Sequence, residues 1–114
     1  MFKVSIIDFT FNLENCAKGV RGHDIHPSLY AINIQRIQLK LPIDSEDLKT
    51  LKPGQDLDFK IDQTLRFIDP EDNKKDSFDA DGVGSGTISS MDSYEEDGII
   101  HVDIELEDGY AEEL

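Results

Sequence analysis

No lysine or arginine follows Lys75. The last 39 residues, Asp76 to Leu114, carry 13 aspartates and glutamates. Residues 1–57 hold seven basic and seven acidic side chains, and residues 58–114 hold four basic and eighteen acidic ones. The whole formal charge of −14 therefore sits in the second half. Crowding like charges on a compact chain costs stability through self-repulsion. The same field repels duplex nucleic acid and an anionic membrane, and it attracts a basic protein or a cation. A salt-adapted composition would acidify both halves, but the first half is neutral.

Cysteine is nearly missing too. Cys16 stands alone, so the chain has no internal disulfide. Nothing in its sequence context supplies a base to make it a nucleophile, and it reads as a small buried thiol. No apolar run approaches the ~18 residues of a membrane span. Asp8 stands where a secretory signal would continue its apolar stretch. The expectation is a soluble cytoplasmic protein. The 114 residues suit one domain, residues 1–114, able to bury roughly two thirds of the unfolded chain's surface. No helical pattern is long enough for a crossover between parallel strands, which argues against a βαβ fold.

What is present is mostly period two. Phe2, Val4 and Ile6 alternate, then Ile7, Phe9, Phe11 and Leu13 take the opposite parity. A bulge near Ile6 and Ile7 would produce that switch, because one extra residue flips every later side chain. Tyr30, Ile32 and Ile34 alternate, then Ile37, Leu39 and Leu41 change parity in the same way. Such phase changes suit bent strands in a barrel, or strands that switch sheets in a sandwich. Asp44 or Ser45 would cap a short helix over residues 45–51, with Glu46 and Asp47 at its positive end. Pro53 and Gly54 make a turn. Leu57, Phe59, Ile61, Leu65 and Phe67 share one parity, giving a third strand or a hairpin folding near Asp62 and Gln63. Thr87 to Tyr94 and Ile100 to Leu106 form a hairpin around Asp97-Gly98, a pair that favours a tight turn. Residues 69–86 show no hydrophobic period and read as a flexible acidic loop, and residues 108–114 as a loose acidic tail. The fold expected is all-β or β-rich α+β. It is a single small barrel or sandwich of five or six mainly antiparallel strands, with one short helix near 45–51.

Few patterns carry chemistry. Asp76 to Gly82 resembles the middle of an EF-hand loop, but Ile88 falls where that site needs a bidentate Glu. A different calcium site could use Asp69, Glu71, Asp72, Asp76, Asp79 and Asp81. Gly82, Gly84 and Gly86 lack the lysine and following helix of a phosphate cradle, and they read as a hinge. His23, Asp24 and His26 fall short of the four ligands of a structural zinc site. No nucleophile-elbow sequence supports a hydrolase. The chain is read as a non-enzyme without cofactor.

The clearest feature is an acidic strand face. Alternate strand residues lie about 6.5–7 Å apart on one side. Asp103, Glu105 and Glu107 would form such a row, and Asp56, Asp58 and Asp62 a second one interrupted by Lys60. Phosphates along a nucleic-acid strand have comparable spacing. The function expected is an inhibitory binding protein whose acidic second half blocks the basic surface of a nuclease or other nucleic-acid-binding protein. Nucleic-acid mimics and nuclease-toxin immunity proteins work in this way. The partner-binding residues would be Glu95, Glu96, Asp97, Asp103, Glu105, Glu107 and Asp108, with no direct contact to nucleic acid or membrane. The alternatives are a calcium-dependent β-sandwich module, using Asp69, Asp72, Asp76, Asp79 and Asp81, and a structural or assembly subunit.

Overall fold

The computed structural model describes residues 1–12, 31–68 and 73–112. Five strands form a closed barrel: β1 (Phe2–Phe11), β2 (Ala31–Pro42), β3 (Asp56–Ile68), β4 (Lys75–Glu96) and β5 (Ile99–Glu112). Their order around the barrel is β1-β2-β5-β4-β3. Four pairings are antiparallel. The barrel closes through a short parallel contact that places Phe2 beside Phe59 and Val4 beside Ile61.

Both phase changes read from the sequence are present. The β1–β2 register shifts on either side of Asp8, which leaves Ile7 turned out and 45% exposed. The β2–β5 register shifts between Asn33 and Arg36, so Ile32 and Ile34 are buried on one parity and Ile37, Leu39 and Leu41 on the other. The third strand is a single one. The core gathers these aliphatic side chains with Phe59, Ile61, Ile88, Val102 and Ile104. At one end, Phe11 meets Phe67 edge-on with ring centroids 4.8 Å apart, and both rings contact Phe78.

Three sequence expectations need correction. The helix near 45–51 is a four-residue 3-10 turn, Asp47–Thr50. Neither Asp44 nor Ser45 is its cap: the N-cap is Glu46, without a side-chain cap bond, and Ser45 Oγ accepts the Asp47 N–H at 3.2 Å from the residue before it. Leu48 and Leu51, three residues apart, share the face that packs on the core, which suits a helix of three residues per turn.

The expected acidic loop is strand from Lys75 onward, and residues 69–72 lie outside the described residues. Phe78, Ala80, Gly82, Gly84, Gly86 and Ile88 are its inward positions. Small residues there erase the hydrophobic alternation without ending the strand. Gly84 is not a hinge, because a Cβ at this position would stand 2.6 Å from Phe59 Cε2. The phenyl ring occupies the space a side chain would need.

The expected tail is also strand. β5 runs to Glu112 and pairs with both β2 and β4, while Glu113 and Leu114 lie outside the described residues. Its inward positions, Gly109 and Ala111, are again small. A Cβ on Gly109 would collide with the Ile34 carbonyl oxygen, so β2 and β5 approach closely only because glycine stands there. Asp108, just before it, has φ 54° and sits where the register shifts.

Gly84→Ala separates the packed strand from a hinge by sign. Overpacking against Phe59 is expected to lower unfolding free energy by about 1–3 kcal/mol, read from urea denaturation. A hinge would instead gain about 0.4–1 kcal/mol from a stiffer unfolded chain.

Candidate binding surface

Strand alternation and register place the acids. On β5, Val102, Ile104 and Leu106 point into the core, so His101, Asp103, Glu105 and Glu107 project from the outer face. The expected row of Asp103, Glu105 and Glu107 therefore exists. A register shift between Ile88 and Ser90 reverses the parity of β4. Ser90, Asp92, Tyr94 and Glu96 then share the outer face with the β5 row.

The β4–β5 register pairs Asp92 with Asp103, Ser90 with Glu105, and Tyr94 with His101. On the other side of β5, Gln38 lies opposite Asp103, Arg36 opposite Glu105 and Lys40 opposite His101. Gln38 Nε2 donates to Asp103 Oδ1 at 2.7 Å, and Ser90 Oγ donates to Glu105 Oε2 at 3.1 Å. Arg36 turns to β1 and pairs with Asp8 at 3.2 Å. Tyr94 and His101 stack with centroids 4.8 Å apart and planes 4° from parallel. His101 Nδ1 is shielded from solvent and has no hydrogen-bond partner.

Not all seven expected contact residues share this face. Glu96, Asp103, Glu105 and Glu107 do. Glu95 has the parity of Met91, which packs against the core, so it projects from the opposite face. Asp97 and Gly98 form the turn with φ 54° and 77°, the positive values expected of the Asp-Gly pair. Asp108 lies at the bulge near the far end of the row. Sequence reasoning missed Asp92, whose only signal was its alternation with Tyr94. It also missed Arg36, Gln38 and Lys40, which border the row but lie more than 60 residues away in sequence.

The second expected row, Asp56, Asp58 and Asp62, lies exposed on the outer face of β3. Thr87 donates to Asp56 at 2.8 Å and Lys3 approaches Asp62 at 3.5 Å. Asp62 is directly opposite Asp81 of β4. Asp79 accepts the Thr64 hydroxyl at 2.7 Å, and Asp76 accepts the Ser77 N–H at 2.8 Å. Among the described residues, no three His, Cys, Asp or Glu side chains converge as metal ligands. Asp69, Glu71 and Asp72 of the calcium alternative, the His23–His26 segment and Cys16 lie outside the described residues.

The described ion pairs join Lys3 to Asp62, Arg36 to Asp8 and Lys49 to Glu46. None reaches a carboxylate of β4 or β5. Among the described residues, no helix is long and apolar enough to cross a membrane. Comparison with known protein families, characterised proteins and solved structures finds no match.

Like charges directly opposite each other across a ladder are destabilising. Asp92→Asn is therefore expected to stabilise the fold by about 0.2–1 kcal/mol at low salt. The gain should shrink in high salt, where exposed charges are screened. Denaturation in both buffers checks this, and a loss of stability at low salt would contradict the repulsion.

Proposed function

We propose that this chain is an acidic binding protein that occupies the basic nucleic-acid-binding surface of a partner and so blocks it. One observation carries the reading. The outer face of β4 and β5 sets Asp92 directly against Asp103, and no carboxylate of these strands has a described ion-pair partner. The barrel core gains nothing from that arrangement, which works against folding. A cationic partner relieves the repulsion, so the acidic face is more stable bound than free.

The ladder fixes the carboxylates before the partner arrives. Along a strand they repeat at about 6.5–7 Å, and adjacent strands lie roughly 4.8 Å apart. Arginines meeting this grid form short, charge-assisted hydrogen bonds, often two to one carboxylate. The long-range field speeds association, and the closest charge pairs slow release. Arg36 and Lys40 mark the side where attraction for a basic surface ends, so the footprint centres on β4 and β5. The inhibition is steric and electrostatic, because the bound barrel covers the place where the polyanion would lie.

The test starts with capture from native cytosol at low salt and release by a salt gradient. The released protein is then assayed for nucleic-acid binding while this chain is titrated in. Binding should be lost at stoichiometric amounts. The combined variant Asp103→Ser, Glu105→Ser, Glu107→Ser should fold with a melting temperature no lower than the parent's and block at least about tenfold less well, a loss of roughly 1.4 kcal/mol. A captured protein that keeps its nucleic acid, or equal blocking by the triple variant, would overturn the reading.

A further inference from the structure

Residues Lys75–Ile68 and Thr87–Asp56 mark the two ends of the β4 pairing with β3. The Gln55 carbonyl then accepts the Ile88 N–H at 2.9 Å, and Gly54 donates to the Ile88 carbonyl at 2.7 Å. Beyond Ile88, β4 continues to Glu96 with β5 on one side. Among the described residues, no strand pairs with its other side, where the Ser93 N–H is accepted by the Asp92 carboxylate at 3.0 Å. The edge strand is Ser89 to Glu96.

The hairpin sets which backbone groups face this open edge. A two-residue turn at Asp97 and Gly98 makes Glu96 and Ile99 a hydrogen-bonded pair. Alternation then directs the N–H and C=O of Tyr94, Asp92 and Ser90 toward β5, and those of Glu95, Ser93 and Met91 outward. An open row of this kind is a template for another strand. The outer-face neighbours of such a strand would be Asp92, Tyr94 and Glu96. Tyr94 is 48% exposed and Ile99, which pairs with Glu96 and lies diagonal to Tyr94 on β5, is 40% exposed, giving apolar surface among the carboxylates.

We propose that the edge of β4 from Met91 to Glu95 takes an extended basic segment of the partner as an added antiparallel or parallel strand. This rests on the reading of the chain as a binder of basic proteins and specifies how the partner docks. Main-chain bonds to Met91 and Glu95, and to Ser93 once its N–H exchanges the Asp92 carboxylate for the added strand, supply affinity, and alternate side chains supply selectivity. Lysine or arginine on the added strand's outer face meets Asp92 and Glu96. Between them, an aromatic or arginine side chain covers Tyr94, where a guanidinium also gains from the ring face. A second copy of this chain fits poorly, because it would bring Asp92, Glu95 and Glu96 against their own counterparts.

The probe is a capped nine-residue synthetic peptide alternating lysine and threonine with a central tyrosine. Its control carries the same side chains with every backbone amide N-methylated, which leaves no N–H donor on either edge. Titration calorimetry with the full chain should show the unmodified peptide binding roughly tenfold or more tightly, since only it can form the main-chain hydrogen bonds. Amide exchange should slow at Met91 and Glu95 when it binds. Ser93→Pro removes an edge donor without touching the β5 ladder, and should abolish the difference between the two peptides while leaving the melting temperature close to that of the parent. Equal, salt-sensitive binding of both peptides would overturn strand addition and leave the acidic-face reading standing. Failure of both peptides to bind at low salt would overturn both. A dimer of the chain that Ser93→Pro dissolves would also overturn the proposal, because the edge would then belong to a second copy.

Discussion

β4 has to serve two neighbours in succession. Its first half pairs with β3 through Thr87, and its second half pairs with β5 from Gly84 onward. Only from Gly84 to Ile88 is it flanked on both sides. The strand must bend there around a core that already holds Phe59, and a glycine facing that ring leaves the space. Closure of the barrel, the parity change near Ser90 and the projecting β4–β5 hairpin all follow from this passage. So does the outer face, because the parity change brings Asp92 into line with Asp103.

The same constraint separates the core from the charges. The inward positions of β2, β3 and β5 are aliphatic, aromatic or small except half-buried Gln63, whose Oε1 accepts the Ile6 N–H at 2.7 Å, and no polar or charged residue is fully buried among the described residues. The acids therefore add nothing to packing. They are carried on a frame stable enough to hold like charges side by side. A surface built this way is costly alone and favourable against a cationic partner, which links the fold's energetics to the proposed function.

How much could be read from the sequence depended on what each inward position carried. β1, β2 and β3 announce themselves because isoleucine, leucine and phenylalanine alternate with polar residues, and even their bulges appear as parity switches. The turn at Asp97-Gly98 is legible because few pairs tolerate two positive φ values. Residues 75–86 and 108–112 were not, since Ala80, Gly82, Gly84, Gly86, Gly109 and Ala111 carry no hydrophobic signal at positions that face inward. A period-two run of small residues was the available clue. The acidic row on β5 was legible from local alternation alone. Its borders were not, because Arg36, Gln38 and Lys40 reach it only through the β2–β5 register.

Amide hydrogen exchange of the free protein tests the central claim, that β4 changes neighbours near Gly84–Thr87 and runs on with one side open. The account predicts alternation over the last half of the strand. The amides of Ser90, Asp92, Tyr94 and Glu96 should be protected, and those of Met91 and Glu95 should exchange much faster. Uniform protection from Ser90 to Glu96 would mean that both edges are paired, and it would contradict the account.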